Sequence, residues 1–283
     1  MTDINTVFEN LEKVRATTPL VHNITNFVAM NSSANALLAL GASPIMAHAP
    51  EEIDDLIAIV GGLVINIGTL NGPWIKSMLL AGRAAYERGI PVILDPVGAG
   101  ATKLRTDTSV RILNECAPTI IRGNASEILT LAAATGAADK QRVAAALAAA
   151  GGSTRGVDSS HSGLGIADVA SDLASQYDCT VVLSGPTDTV TDGDNLITVT
   201  GGHELMSKVT GMGCTASALC CAFSVAVDDP FEAAVSAMAV MSAAGAVAAA
   251  KSQGPGTLQL HFYDALYTLT REQIEQAIQL ENL

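Results

Sequence analysis

Thr210, Gly211, Met212, Gly213 and Cys214 stand directly before a long apolar run. A turn of small residues at the head of a helix gathers backbone N–H groups that have no partner inside the helix, and the helix dipole makes that end positive. Gly211, Met212 and Gly213 therefore form a candidate anion hole, suited to a phosphoryl group. Cys214 falls in the first helical turn, where the same field favours a thiolate and hence a base or nucleophile. Cys220 and Cys221 lie deeper in the run and read as core. In "LDPVGAGAT", Asp95 is the first polar side chain after an apolar strand. It could hold magnesium directly or through water, while Gly98 and Gly100 let backbone N–H groups approach an anion. An Asp-Pro turn would explain the same residues. In "IRGNASEI", Asn124 and Glu127 have the spacing of a helix cap, and Arg122 could reach a phosphate or stand in solvent. The chain has no GxxxxGK[ST] and no GxGxxG between strand and helix, so a phosphate site here belongs to another nucleotide-binding design.

These segments need a scaffold that brings loops together. Helical periodicity over 31–40, 51–60, 74–88 and 106–116 alternates with short apolar runs at 43–47, 62–67, 91–95 and 118–121. That βαβ rhythm predicts a central, mainly parallel sheet with helices on both faces and ligands at the carboxyl ends of the strands. Residues 129–151 are rich in alanine, and "GGSTRGVDSSHSG" after them is turn-rich; both read as an excursion within a single domain spanning 1–283. A strand at 179–184 and a hairpin over 188–192 and 195–200 are expected to close the sheet edge, and everything after Gly213 reads as helix.

Composition narrows the chemistry. A net charge of -13 opposes phosphate backbones and anionic lipid, leaving a small substrate rather than nucleic acid or membrane as partner. Five cysteines, an odd number with no CxxC, form neither a disulfide framework nor a zinc pattern. The first twenty residues lack a basic segment followed by an apolar one, so a cytoplasmic protein is expected. The uncharged stretch ending at Lys251 is long enough for a membrane span, yet its Ala, Ser and Gly suit a buried, closely packed helix better. His22 and His48 could line a site or be structural; His161, His203 and His261 show no ligand spacing.

Taken in order, "PLVHNITN" (19–26), "ALLALGASPIMAHAPEE" (36–52), "LVINIGTL" (63–70), "PVILDPVGAGAT" (91–102), "IRGNASEI" (121–128), "KVTGMGC" (208–214) and "GPGT" (254–257) closely resemble the hydroxyethylthiazole kinases of thiamine salvage. The resemblance runs along nearly the whole chain and is weakest over 129–180. It implies a ribokinase-like fold, a homotrimer with active sites between subunits, and magnesium-dependent transfer of the γ-phosphoryl of ATP to 4-methyl-5-(2-hydroxyethyl)thiazole. By position, Met46, Asn26 and Gly211 look like substrate contacts, and Arg122 and Ser184 like ATP contacts, with serine where the family usually has threonine. Asp95 and Glu127 resemble the acidic pair that organises magnesium. Cys214 stands where most ribokinase-like kinases carry an aspartate base, and a modest base suffices for a loose phosphoryl-transfer transition state. Other readings are a kinase of another small alcohol such as hydroxymethylpyrimidine, a non-catalytic nucleotide sensor, and a cysteine hydrolase, for which no histidine partner is evident.

Overall fold

Asp3 starts the first helix, its carboxylate accepting from Thr6 N, and Thr18 ends it in the left-handed conformation. A computed structural model describes residues 2–149 and 163–283. The chain runs α1 (Ile4–Thr17), β1 (Leu20–Ile24), α2 (Met30–Leu40), β2 (Ser43–Ile45), a 3-10 turn (Pro50–Glu52), α3 (Ile53–Ile57), β3 (Gly62–Asn66), α4 (Gly72–Glu87), β4 (Val92–Asp95), α5 (Lys103–Cys116), β5 (Ile120–Asn124) and α6 (Ala125–Thr135). There follow α7 (Lys140–Ala149), α8 (Gly163–Tyr177), β6 (Thr180–Ser184), β7 (Thr187–Thr191), β8 (Leu196–Thr200), a second 3-10 turn (Glu204–Lys208), α9 (Met212–Ala226), α10 (Pro230–Ala249), α11 (Pro255–Thr268), α12 (Arg271–Ala277) and β9 (Gln279–Asn282). The turn-rich segment expected at 151–163 lies almost wholly outside the described residues.

All the strands join one sheet in the order β2-β1-β3-β4-β5-β6-β7-β8-β9. Neighbours are parallel from β2 to β6 and antiparallel from β6 to β9. Val21, Val64, Ile93, Ile120 and Val182 face one core with α1, α2, α9 and α10; Ile24, Leu63, Ile65, Leu94, Ile121 and Val181 face another with α4, α5, α6 and α8. Because both faces are covered, these strands read as near-continuous apolar runs, as parallel strands do.

Two expectations change. The edge beyond β8 is closed by β9, which pairs antiparallel with it, not by the β7–β8 hairpin. The chain after Gly213 is therefore helical only as far as α12. The long uncharged stretch is α10, whose residues 233–245 are all buried within the fold. It is the all-round apolar helix of a large core, although its length and composition alone would allow a membrane crossing.

Candidate active site

In a parallel sheet every strand delivers its last residues to the same rim. Here that rim carries Met46 after β2, Asn26 after β1, Asn66 ending β3, Asp95 ending β4, Arg122 and Asn124 in β5, and Ser184 ending β6. The N-terminus of α9 points its first turn at them.

Asn26 Oδ1 accepts from the N–H groups of Val28 and Ala29, both at 3.0 Å, which fixes the orientation of its amide. Its Nδ2 then donates to Asn66 Oδ1 at 2.8 Å and to Cys214 Sγ at 3.2 Å. Asn66 Oδ1 also accepts from Gly68 N at 3.0 Å, so Asn66 Nδ2 faces Asp95 Oδ2 and donates to it at 2.7 Å. Ser217 Oγ donates to the same oxygen at 2.8 Å. Asp95 Oδ1 is buried and has no hydrogen-bond partner among the described residues. Burial pushes Asp95 up to about 6; the nearby Glu127 charge adds to this, while Arg122 and the bonds from Ser217 and Asn66 oppose it.

The dipole argument for a thiolate at Cys214 is overturned by its surroundings. Burial raises the thiol above its ordinary value and the Asp95 charge raises it further, outweighing the bond from Asn26 and the charge of Arg122. These surroundings favour the neutral thiol. Cys220 and Cys221 are fully buried in the core, as expected.

The wall formed by the α9 terminus is built on glycines. Gly211 caps α9 at φ 83°, a left-handed conformation that favours glycine, and a Cβ there would come within 3.0 Å of Ser32 Oγ. No side chain caps this helix, and its first backbone bond runs from Thr215 N to Gly211 O. The N–H groups of Met212, Gly213 and Cys214 are thus the free donors of the first turn. A Cβ on Gly213 would lie 2.7 Å from an Arg122 guanidinium nitrogen, so glycine here is what lets Arg122 lie against the helix end. Arg122 Nε is held by Ser184 Oγ at 2.8 Å. Arg122, Ser184, Met212 and Gly213 line one cleft of about 970 Å3 that also contains Asp188, His203, Lys208 and Met241. Asp188 is buried, which pushes it up to about 6 against the bond from Gly185 N and the Arg122 charge.

Glu127 is a helix cap in fact. Its Oε2 accepts from Asn124 N at 2.9 Å, completing a reciprocal cap on α6, and its Oε1 accepts from Gly98 N at 2.8 Å. For a magnesium ion, Asp95 therefore offers a free oxygen, whereas both Glu127 oxygens already serve backbone donors. Among the described residues no three His, Cys, Asp or Glu side chains cluster as a metal cage. Such a pair fits an ion whose remaining ligands come from phosphates and water, the usual magnesium arrangement.

Met46 is not drawn into the cluster. It sits half-buried just beyond β2 at the outer edge of the sheet, and its neighbour Ala47 is tethered by His22, whose Nε2 lies 2.9 Å from the Ala47 carbonyl oxygen. His48 packs on Trp74, which packs on Phe27, with ring centroids 4.4 Å and 4.6 Å apart. Both histidines hold local structure. Asn26 and Cys214 meet within a single chain. Residues missed in the sequence are Asn66, Ser217, Asp188 and Arg105. Asn66 had a readable signal, a polar residue ending an apolar strand in register with Asp95. Ser217 follows Cys214 by three positions on one helical face. Arg105 donates to the carbonyls of Ile67, Gly68 and Val97, joining the loops that follow β3 and β4.

Known proteins share this architecture. Residues 11–272 match the model of the hydroxyethylthiazole kinase family. The hydroxyethylthiazole kinase of Nitratidesulfovibrio vulgaris (strain Miyazaki F) is 53% identical over 97% of this chain and 97% of its own, and that of Syntrophus aciditrophicus is 49% identical over 95% and 94%. The structure of the hydroxyethylthiazole kinase protein from Pyrococcus horikoshii OT3 matches with a TM-score of 0.86 at 39% identity, over 99% of each chain. More distant likenesses show fold alone. A ribokinase-like superfamily protein from Enterococcus faecalis has a TM-score of 0.62 at 12% identity over 96% of this chain and 95% of its own. The pyridoxal kinase of Staphylococcus aureus, solved with AMP-PCP and pyridoxal, has 0.59 at 13% over 94% and 98%. With the sheet order, the open helix end and near-complete sequence coverage in agreement, the fold is ribokinase-like and the chain belongs to the hydroxyethylthiazole kinase family.

Proposed function

We propose that this protein transfers the γ-phosphoryl group of ATP to the hydroxyl of 4-methyl-5-(2-hydroxyethyl)thiazole in thiamine biosynthesis or salvage. The observation that carries this reading is the uncapped N-terminus of α9, with Arg122 lying against it and Asn26, Cys214 and Asp95 beside it. ATP occupies the cleft lined by Arg122 and Ser184, and its transferred phosphoryl meets the first-turn N–H groups of Met212, Gly213 and Cys214, one residue on from the expected set of Gly211, Met212 and Gly213, as well as the guanidinium. Donors fixed in advance at the position of developing charge lower the barrier without reorganising. The thiazole alcohol lies on the opposite side, against Asn26, Gly211 and Met46, with its hydroxyl at Cys214.

A neutral thiol cannot draw the proton early. Because phosphoryl transfer has a loose transition state, the alcohol proton need leave only late, to an oxygen of the transferred phosphoryl or to water, and Cys214 Sγ can meanwhile accept a hydrogen bond from it and aim its oxygen. Asp95 through its free oxygen, and Glu127 through water, would hold magnesium against the phosphates, where the metal neutralises their charge. We read the chain as a single kinase domain, cytoplasmic, and assembled as a homotrimer whose subunits meet at the β2 edge, which places Met46 at the boundary between one site and the next. ADP release measured with a panel of thiazole, pyrimidine and sugar alcohols tests the reading. The thiazole alcohol should be strongly preferred; preference for hydroxymethylpyrimidine, or no alcohol-dependent ADP at all, would refute it.

A further inference from the structure

We propose that Asn66 is a positioning residue that couples the alcohol side of the site to the phosphate side. The proposal rests on the kinase reading and gives it a mechanical link. Asn66 is fully buried at the end of β3, the strand between those that carry Asn26 and Asp95. Its two ends have different tasks. The carbonyl end accepts from Asn26 Nδ2 and from Gly68 N, and the amide end donates to Asp95 Oδ2.

Backbone donors set the direction of the whole chain. The N–H groups of Val28 and Ala29 hold the carbonyl end of Asn26, and Gly68 N holds that of Asn66, so neither amide can turn over without placing a buried oxygen or nitrogen opposite a like group. Two consequences follow. Asn26 is obliged to present its donor to Cys214 Sγ, and Asp95 is obliged to direct Oδ2 inward, which leaves Oδ1 as its one oxygen without a protein partner among the described residues. Ser217 reinforces only the second of these, since it touches Asp95 and not Asn26. Among the described residues, Asn66 alone hydrogen-bonds to both side chains. Gly68 completes the arrangement, because a Cβ there would lie 2.6 Å from Asn26 Nδ2 and drive that amide out of line.

The test uses Asn66→Asp, which is nearly isosteric, keeps an oxygen toward Asn26 and Gly68, and replaces the neutral amide donor to Asp95 with a second acid that can bond to it only by sharing a proton. In purified full-length enzyme, KM for alcohol and for ATP should stay within about threefold of wild type while kcat falls by roughly 10²-fold, as expected for a lost orientation. Combining Asn66→Asp with Asn26→Ala should cost no more than about threefold beyond the weaker single variant, because both act through one chain. A readout independent of turnover is the crystal structure of the unliganded Asn66→Ala protein, which has no group to share a proton with Asp95 and in which the Asp95 carboxylate should have turned from its wild-type orientation. If either variant does not fold, Asn66→Ser is measured the same way, per folded molecule. Wild-type turnover of the thiazole alcohol in the same assay tests the kinase reading separately. A kcat within about threefold of wild type, losses that multiply as for independent sites, or an Asp95 carboxylate unmoved in the variant structure would each overturn the proposal.

Discussion

Asp95 carries a buried carboxyl with one oxygen bonded to Asn66 and Ser217 and the other without a partner among the described residues. Its pKa of about 6, raised by burial, has a consequence for stability. Between the ordinary carboxylate value and about 6, the folded protein keeps a proton that the unfolded chain has lost, so stability falls as pH rises through that window and stays low above it. Asp95→Asn should therefore be inactive yet more stable. The gap between variant and wild type, measured by denaturant melts without nucleotide, should widen by roughly 2–3 kcal/mol from pH 4 to pH 7; a gap constant across that range would show that the carboxylate is not strained. The neutral thiol at Cys214 yields a second prediction. A carboxylate at that position, buried beside Asp95, would itself be pushed toward neutrality, the useful range for a general base. Cys214→Ala should lower kcat by at most roughly 10²-fold with ATP binding unchanged, and Cys214→Asp should exceed the alanine variant by about tenfold or more. A folded Cys214→Asp no faster than Cys214→Ala would remove Cys214 from contact with the alcohol. Asp95, Arg122 and Cys214 could be read from sequence because charge and thiol chemistry announce themselves at loop positions. Ser217 could not, since a hydroxyl acquires its role only from the partner that folding supplies, and for Asn66 the sequence showed its place at a strand end but not its partners.

The N-terminus of α6 and the loop after β4 are fastened together by one side chain. Glu127 accepts from Asn124 N in its own helix cap and from Gly98 N across the gap, and Gly98 takes a left-handed conformation at φ 73°. Glu127→Gln keeps one acceptor but turns an NH2 group toward one of these two N–H donors. A donor left facing a donor in a buried site costs about 1–3 kcal/mol, so the variant should lose several degrees of melting temperature as well as activity. An unchanged melting temperature would mean that the amide reorients at no cost and that the carboxylate's second bond contributes nothing. The readable elements were those with one clear period: β3, β4 and β6 as apolar runs, α4 and α5 as amphipathic helices. The first helix was hidden by its polar composition, although Val7, Leu11 and Val14 make a buried stripe. The strand β1 was hidden because His22 and Asn23 interrupt it with buried polar side chains, one tethering Ala47 and the other bonding Val21 O. The edge strand β9 has mostly exposed residues, and backbone pairing with β8 defines it rather than any pattern of its own.

At the scale of the whole molecule the open question is which chain completes which site. A net charge of -13 keeps nucleic acid away but does not prevent self-association through an uncharged face. Exposed apolar side chains occur on elements near β2: Phe27 and Val28 in the segment after β1 and Leu38 on α2, which packs against β2, are exposed by 63%, 61% and 59%. Large apolar residues exposed together mark interaction surfaces more often than isolated ones do. In a homotrimer joined along this edge, Met46 would serve the site of a neighbour, whereas Asn26 and Cys214, bonded within one chain, must serve the same site. Mixing separates these two relations. Asn26→Ala and Cys214→Ala, reassembled from an equimolar denatured mixture, should recover nothing, since every site then contains one damaged residue of the pair. Met46→Glu and Cys214→Ala should behave differently. In a cyclic oligomer assembled at random, a site that takes Cys214 from one chain and Met46 from the next receives both intact in about one case in four, so activity should return to roughly a quarter of wild type. Mixed trimers verified by mass that remain at the parental level would place Met46 in its own chain's site, and a protein that stays monomeric at assay concentration would rule out the shared arrangement altogether.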